Sequence, residues 1–212
     1  MKKLNVSQVK SMMIYVAGKM VESKEIMCEA DRNIGDGDHG IGMAKGFGAA
    51  LQELGNQEFE DVYKVFFTVG RTMIKEMGGA SGIIFGSLFY AGSKNVAPSS
   101  EMNTQEFATF FDKALTEIKL RGKASVGDKT VIDGLEPMVN ALKENANGDI
   151  SFEDLLQLAY DAAVNGKEAS KQYVAKFGRA KTLGERAIGY PDAGAVSLTL
   201  ITKAMLDWAG NQ

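Results

Sequence analysis

The chain of 212 residues has one cysteine, one histidine, one tryptophan and three prolines. A lone thiol, Cys28, supports neither a disulfide framework nor a cysteine-rich zinc cluster, which fits a reducing cytoplasm. No basic run stands out and the formal net charge is -3, which argues against nucleic acid as the main partner. No segment has the unbroken apolar length of a membrane span. The two lysines after Met1 lead into no signal-type apolar stretch. The expectation is a soluble cytoplasmic globule, with no membrane partner and a single domain over 1–212.

What is present is helical pattern. Between Thr104 and Leu120, residues Phe107, Phe110, Phe111, Ala114, Leu115 and Ile118 form one stripe at three- and four-residue steps. Thr104 is placed to cap this helix, and Arg121 with Gly122 to stop it. Phe59–Met77 repeats the pattern, and Ser151 with Asp154 opens another helix. Further helices are expected over Ser7–Cys28, Gly42–Leu54, Ile83–Lys94, Thr130–Ala146, Gly166–Lys176 and Ala193–Trp208. No run of period two bounded by hairpin turns stands out. The fold class is therefore all-α, about eight helices with mostly antiparallel neighbours. The methionine and phenylalanine stripes read as core, and Asn95–Asn103 as a connecting loop.

The densest chemistry lies between Asp31 and Gly40. Asp31, Asp36 and Asp38 fall within eight residues, interleaved with glycine and followed by the only histidine, His39. Glycine lets the backbone turn and aim the carboxylates inward, where they repel unless a cation joins them. An aspartate–glycine cluster can also be a plain solvated turn. The calcium-loop pattern fails twice, because its sixth position is Asp36 rather than glycine and its twelfth is Gly42 rather than glutamate. Magnesium, which shares its shell with waters and phosphates, fits better.

Three other glycine-rich connections carry polar groups. Gly78–Gly82 precedes an apolar helix and could expose N–H groups to an anion, although it lacks the Gly-Lys-Ser/Thr ending of a Walker loop. Close helix packing would select the same small residues. Gly122–Thr130 holds Lys123, Ser125, Asp128, Lys129 and Thr130. Asp128 or Thr130 is expected to cap the next helix, and each lysine either meets phosphate or is solvated. Gly178–Gly194 offers Arg179 and Arg186 for bidentate phosphate contacts, or for surface pairs with Glu185 and Asp192. Alternate connections of an antiparallel bundle share one end, so the four loops can converge on a single mouth. A nucleotide with magnesium on its phosphates would use all these groups.

These motifs, Asn33–Gly40, Gly78–Gly82, Gly127–Thr130 and Gly184–Arg186 through Asp192–Gly194, occur in an order that resembles the ADP-binding L subunits of bacterial dihydroxyacetone kinases. The resemblance spans nearly the whole chain, and the aspartate stretch is its most specific marker. It implies an up-down barrel of eight helices with the nucleotide at one end. Asp31, Asp36 and Asp38 would bind two Mg²⁺ ions bridging the phosphates of ADP or ATP. His39, Gly40, Ile41, Gly42, Ala80, Ser81, Gly122, Val131, Arg179, Asp192, Ala193 and Gly194 would line the nucleotide site. Ser81 would approach phosphate, and the Gly122–Val131 segment would border adenine. Gly42 stands where many members have a polar side chain, Val126 takes a usual proline position, and Tyr190–Gly194 departs from the usual His-x-Asp-Pro-Gly.

The resemblance further implies a phosphotransferase that works only with partner subunits. A K subunit would hold dihydroxyacetone covalently. An M subunit bearing phosphohistidine would recharge the bound nucleotide, which acts as a coenzyme. No catalytic residue and no phosphorylated His39 is expected on this chain. Single-chain relatives fuse this domain to a substrate domain, for which 212 residues leave no room. The alternatives are a related kinase domain serving another substrate such as a fatty acid, a di-metal hydrolase of the ADP-ribosyl type, and a nucleotide-loaded partner of a transcriptional regulator.

Overall fold

The computed structural model describes residues 1–146 and 149–212. Among them are nine α-helices: α1 Val6–Glu22, α2 Lys24–Arg32, α3 His39–Gly55, α4 Val62–Met77, α5 Gly79–Tyr90, α6 Thr104–Gly122, α7 Ile132–Asn145, α8 Phe152–Ala169 and α9 Ala193–Ala209. Each of α1, α3, α4, α5, α6, α7, α8 and α9 packs on the next, and α9 returns to α1. Eight helices thus close a ring, with α2 laid outside against α3. The all-α expectation holds. One local addition is a pair of three-residue strands, β1 Lys3–Asn5 and β2 Glu101–Asn103, antiparallel in the register Leu4↔Met102. They are too short to show a period in the sequence. No helix among the described residues is long and apolar enough to cross a membrane.

The ring is filled by the apolar stripes. Phe47, Phe66, Phe89, Phe107, Phe110 and Phe152 are fully buried, and the Phe66 and Phe110 rings lie 4.5 Å apart. An apolar gap lined by Leu88, Phe111 and Met205 measures only about 10 Å³, room for one water at most. The centre of the barrel is therefore core, and a ligand has to sit at an end.

Local chemistry sets the helix starts. Asn5 with Gln8 forms a capping box on α1, and Asn103 with Glu106 forms one on α6. Asn103, not Thr104, is thus the cap of α6; the Thr104 hydroxyl donates instead to the Ala146 carbonyl at 3.3 Å. The left-handed stop of α6 is Lys123 at φ 53°, one residue past the expected Gly122. Ser151 caps α8 as expected, accepting the Asp154 N–H at 3.1 Å.

Other bounds differ from the sequence expectation. Ser7–Cys28 is broken at Ser23, whose N–H bonds back to Lys19 at 2.9 Å, so α2 can turn onto α3. Every residue around the break tolerates a helix, so propensity does not reveal it. Gly166 belongs to α8, and Gly166–Lys176 is no separate helix. Only Ser170–Gln172 forms a 3₁₀ turn there, and Arg179–Ala187 forms 3₁₀ turns interrupted at Gly184. Pro137, inside α7, cannot donate to the Asp133 carbonyl, and that oxygen faces the bare Cα side of Gly166 on α8.

Candidate nucleotide and metal site

The α2–α3, α4–α5, α6–α7 and α8–α9 connections meet at one end of the barrel and enclose a cleft of about 820 Å³. Asp31 is the penultimate residue of α2 and not part of the loop. One of its carboxylate oxygens accepts the N–H of Gly37 at 2.8 Å and of His39 at 3.3 Å. Gly37, at φ 79°, makes the turn that brings those donors round. Asp38 stands at the N-cap of α3, but its side chain caps nothing and remains exposed. One oxygen from each of Asp31, Asp36 and Asp38 falls within 4.8 Å of the others. Three convergent carboxylates, one held from behind by backbone donors, form an all-oxygen set that fits a hard divalent cation.

Gly40 explains why the turn is so placed. It is buried where α3 crosses α2, and a Cβ there would run into the Lys24 carbonyl and the Cys28 N–H. The last segment folds over the turn: Ile34 is buried with Ala175, Ala180, Ala187 and Ala193 in a small second cluster. Arg179 pairs with Asp36 and lies 3.7 Å from Asp38. It does not meet Glu185 or Asp192. The Arg186 Nε makes a long contact, 3.4 Å, with the Leu183 carbonyl.

The second wall is the start of α5, which begins at Gly79, four residues before the expected Ile83. Gly78 and Gly79 have φ of 66° and 60° and bring the chain into the helix with Ala80 and Ser81 exposed at its first turn. A twelve-residue helix presents unpaired N–H groups and a positive dipole end here, which suits phosphate. Ile84, Ile118, Ala124, Val131 and Ile132 make another part of the cleft apolar. The cleft thus offers carboxylates, an anion-seeking helix end and an apolar surface.

His39 lies between these parts. Its Nε2 is 2.8 Å from Ser197 Oγ and its ring is 5.6 Å from that of Phe85. Burial holds its pKa below the ordinary histidine value against the opposing pull of Asp31, and so favours the neutral ring. Asp192 caps α9, accepting the Ala195 N–H at 2.8 Å. Burial pushes its carboxyl up to about 7. Asp133 is buried, and its two oxygens accept the N–H of Gly127 and of Thr130, each at 2.6 Å; burial raises its pKa as well. Asp128 does not cap α7. It accepts the Ser125 N–H and pairs with Lys176 at 2.6 Å, while Thr130 Oγ1 accepts the Ile132 N–H at 3.2 Å. Lys129, expected in solvent or on phosphate, is buried and satisfied by two carbonyls.

Of the residues singled out from the sequence, Asp31, Asp36, Asp38, His39, Ile41, Gly42, Ala80, Ser81, Gly122, Val131, Arg179, Asp192, Ala193 and Gly194 all line the cleft. Gly40 does not; it is spent on the α2–α3 crossing. The structure adds Lys45, Ile84, Phe85, Ile118, Ala124 and Phe177. Ile84, Phe85 and Ile118 are indistinguishable from core positions in a helical stripe. Phe177 falls between the expected Gly166–Lys176 helix and the Gly178–Gly194 loop, and no local signal marks it.

The chain is similar to known proteins over most of its length. The DAK2 domain family matches residues 33–207. The chain is 39% identical over 188 residues to the ADP-binding subunit DhaL of PEP-dependent dihydroxyacetone kinase 1 from Listeria innocua, covering 89% of each chain. It is 33% identical to the ADP-binding subunit DhaL of the PTS-dependent dihydroxyacetone kinase of Lactococcus lactis, covering 89% of this chain and 90% of that one. Among solved structures, the dihydroxyacetone kinase of C. freundii superposes with a TM-score of 0.74 at 24% identity in its native form. Its complex with AMP-PNP and Mg²⁺ gives 0.70. The match covers 95% of this chain but 34% of that enzyme, so the two share a fold over about a third of the longer chain.

Proposed function

The chain belongs to the DAK2 domain family, and from that premise we propose that it is the ADP-binding subunit of a phosphoenolpyruvate-dependent dihydroxyacetone kinase. The observation that carries the reading is the convergence of three carboxylates and the α5 N-terminus on one cleft that also has an apolar side. Asp31, Asp36 and Asp38 would hold Mg²⁺, which we take as two ions, and Mg²⁺ supplies the positive charge that offsets the phosphates during transfer.

The chain's own groups position and screen. The Gly37 and His39 N–H groups keep Asp31 aimed at the cation. The first turn of α5 offers N–H groups to a phosphate, and Ser81 stands beside them. Arg179, long and exposed, can leave Asp36 for a phosphate oxygen once a divalent cation takes the carboxylates. Ile84, Ile118 and Val131 give the adenine an apolar surface. None of these groups takes the role of nucleophile in this reading. His39 engages Ser197 through Nε2, which suits a shaping role and not a phosphorylated one.

The nucleotide then acts as a resident coenzyme. A phosphohistidine-bearing M subunit would charge ADP to ATP, and a K subunit carrying dihydroxyacetone would accept the phosphoryl group. Binding to a transcriptional regulator and a cytoplasmic location belong to the same proposal. The test is to denature the purified protein and identify what it releases. Stoichiometric ADP with magnesium is expected. An empty protein that also fails to take up supplied Mg·ADP would overturn the reading. In a second experiment the phosphorylated donor is supplied, and phosphate is expected on the nucleotide; recovery on His39 would defeat the coenzyme role.

A further inference from the structure

Lys129 takes no part in the chemistry above, yet its placement demands a reason. Its side chain is 1% exposed, and its backbone lies in the left-handed region at φ 57°, which is costly for a residue with a Cβ. A buried ammonium without partners would destabilise the fold. Here Nζ donates to the Ser170 carbonyl at 2.7 Å and to the Tyr190 carbonyl at 2.6 Å. Ser170 follows the last residue of α8, where the helix dipole favours a cation. Tyr190 stands two residues before Asp192.

The tie continues from there. Ser170 Oγ accepts the Asp192 N–H at 2.9 Å and donates to the Lys167 carbonyl at 2.6 Å. Asp133 holds the same loop from the α7 side through the N–H groups of Gly127 and Thr130. The walls joined in this way touch at the cleft: a Cβ on Gly194 would lie 3.2 Å from the Val131 Cβ. The barrel helices, in contrast, are held chiefly by their own apolar core. Losing the ammonium should therefore loosen the cleft wall more than the barrel.

We propose that Lys129 is a positioning residue for nucleotide binding: it fastens the Gly122–Val131 loop to the end of α8 and to the Tyr190–Gly194 segment, and so sets the spacing of the wall formed by Val131 and Gly194. The inference rests on the reading of the cleft as a nucleotide site. The Asp133 and Asp192 carboxylates favour the charged ammonium, while burial lowers its pKa from the ordinary lysine value.

The experiment measures Mg·ADP affinity by calorimetry for the wild type and for Lys129→Met, which keeps the stem and removes the charge. Lys129→Gly is measured beside them because glycine accepts φ 57° and guards against a variant that does not fold. Mn²⁺ affinity without nucleotide is measured on the same proteins. The expected result is a rise in the Mg·ADP Kd of about 10- to 100-fold, taken by analogy with the loss when groups supporting metal ligands are removed. Mn²⁺ affinity should stay within about twofold, because the aspartate turn is supported separately. Amide NMR shifts should concentrate at Ser170 and Tyr190–Gly194, a pattern that general loss of stability would not produce. A folded variant with wild-type Mg·ADP affinity would overturn the proposal, as would one in which Mn²⁺ binding weakens equally. Failure of the wild type itself to bind Mg·ADP would sink the site reading, and this inference with it.

Discussion

The aspartate turn carries its three carboxylates on eight consecutive residues and leaves two of them exposed. The wall built from the Gly122–Val131 loop and the starts of α7 and α9 sets Lys129 and Asp133, both buried, beside Asp192 from a distant part of the chain, which is half-buried. In the turn, only backbone N–H groups support Asp31, and the free oxygens all point to one place. In the wall, the charges of Lys129 and Asp133 are consumed by carbonyls and N–H groups. Charge that must meet a ligand is left accessible, and its one cationic partner, Arg179, is itself exposed. Charge that must hold a shape is buried and paired, because an unpaired buried charge is costly.

The largest effect should come from breaking the turn. Asp36→Ala removes one of three ligands and is expected to weaken Mg·ADP binding by two to three orders of magnitude, about 3–4 kcal/mol. Far-UV circular dichroism should show the barrel intact, since Asp36 is exposed. Wild-type nucleotide affinity in this variant would remove the metal assignment.

Breaking the wall should show up in stability. Asp133→Ala strands the N–H groups of Gly127 and Thr130, and a buried unsatisfied donor costs about 1–3 kcal/mol. Urea denaturation should register that loss, while Mn²⁺ binding at the turn is unchanged. A variant as stable as the wild type would mean that the loop does not depend on Asp133.

A smaller effect separates the two regions by pH. The Asp192 carboxyl is raised from 3.8 to about 7 in the folded protein, so the folded state keeps a proton that the unfolded state releases. Its contribution to stability is complete below pH 4 and is lost as pH rises through 7. Asparagine also caps helices, so Asp192→Asn should keep the α9 start and flatten that decline. Melting curves from pH 4 to 8 should show the variant gaining on the wild type. The full shift would be worth about 4 kcal/mol, and the half-buried carboxyl, screened by solvent in the cleft, should return on the order of 1–2 kcal/mol of it. Parallel curves would place the titration elsewhere.

The smallest effect sharpens the comparison from outside. Arg32 lies beside the turn but pairs only with Glu25 and Glu29 at the surface, at 2.6 and 2.7 Å. Arg32→Ala should cost less than about 1 kcal/mol and leave metal affinity unchanged. A large loss of Mn²⁺ binding would show that the turn draws on its flank.

Much of this was legible in the sequence where the cause is local. The apolar stripes fixed the helices because burial repeats with the helical period, and the phenylalanines of α6 lie where that period puts them. The aspartate turn was legible because its ligands, glycines and backbone donors are neighbours in sequence. The cap of α6 was misplaced by one residue, since Asn103 and Thr104 are both good caps and only the reciprocal bond with Glu106 decides.

Tertiary structure alone decided the rest. The break at Ser23 follows from the crossing of α2 and α3 at Gly40, which no property of Val21–Glu25 announces. Lys129, between an aspartate and a threonine, reads as a surface lysine. It becomes a buried tie because α8 and the last loop bring two carbonyls, 41 and 61 residues away, to the same point. Sequence by itself determined most of the helices and the grouping of the three carboxylates, which depend on near neighbours. The wall of the cleft depends on groups far apart in the chain, and their meeting is a property of the folded barrel.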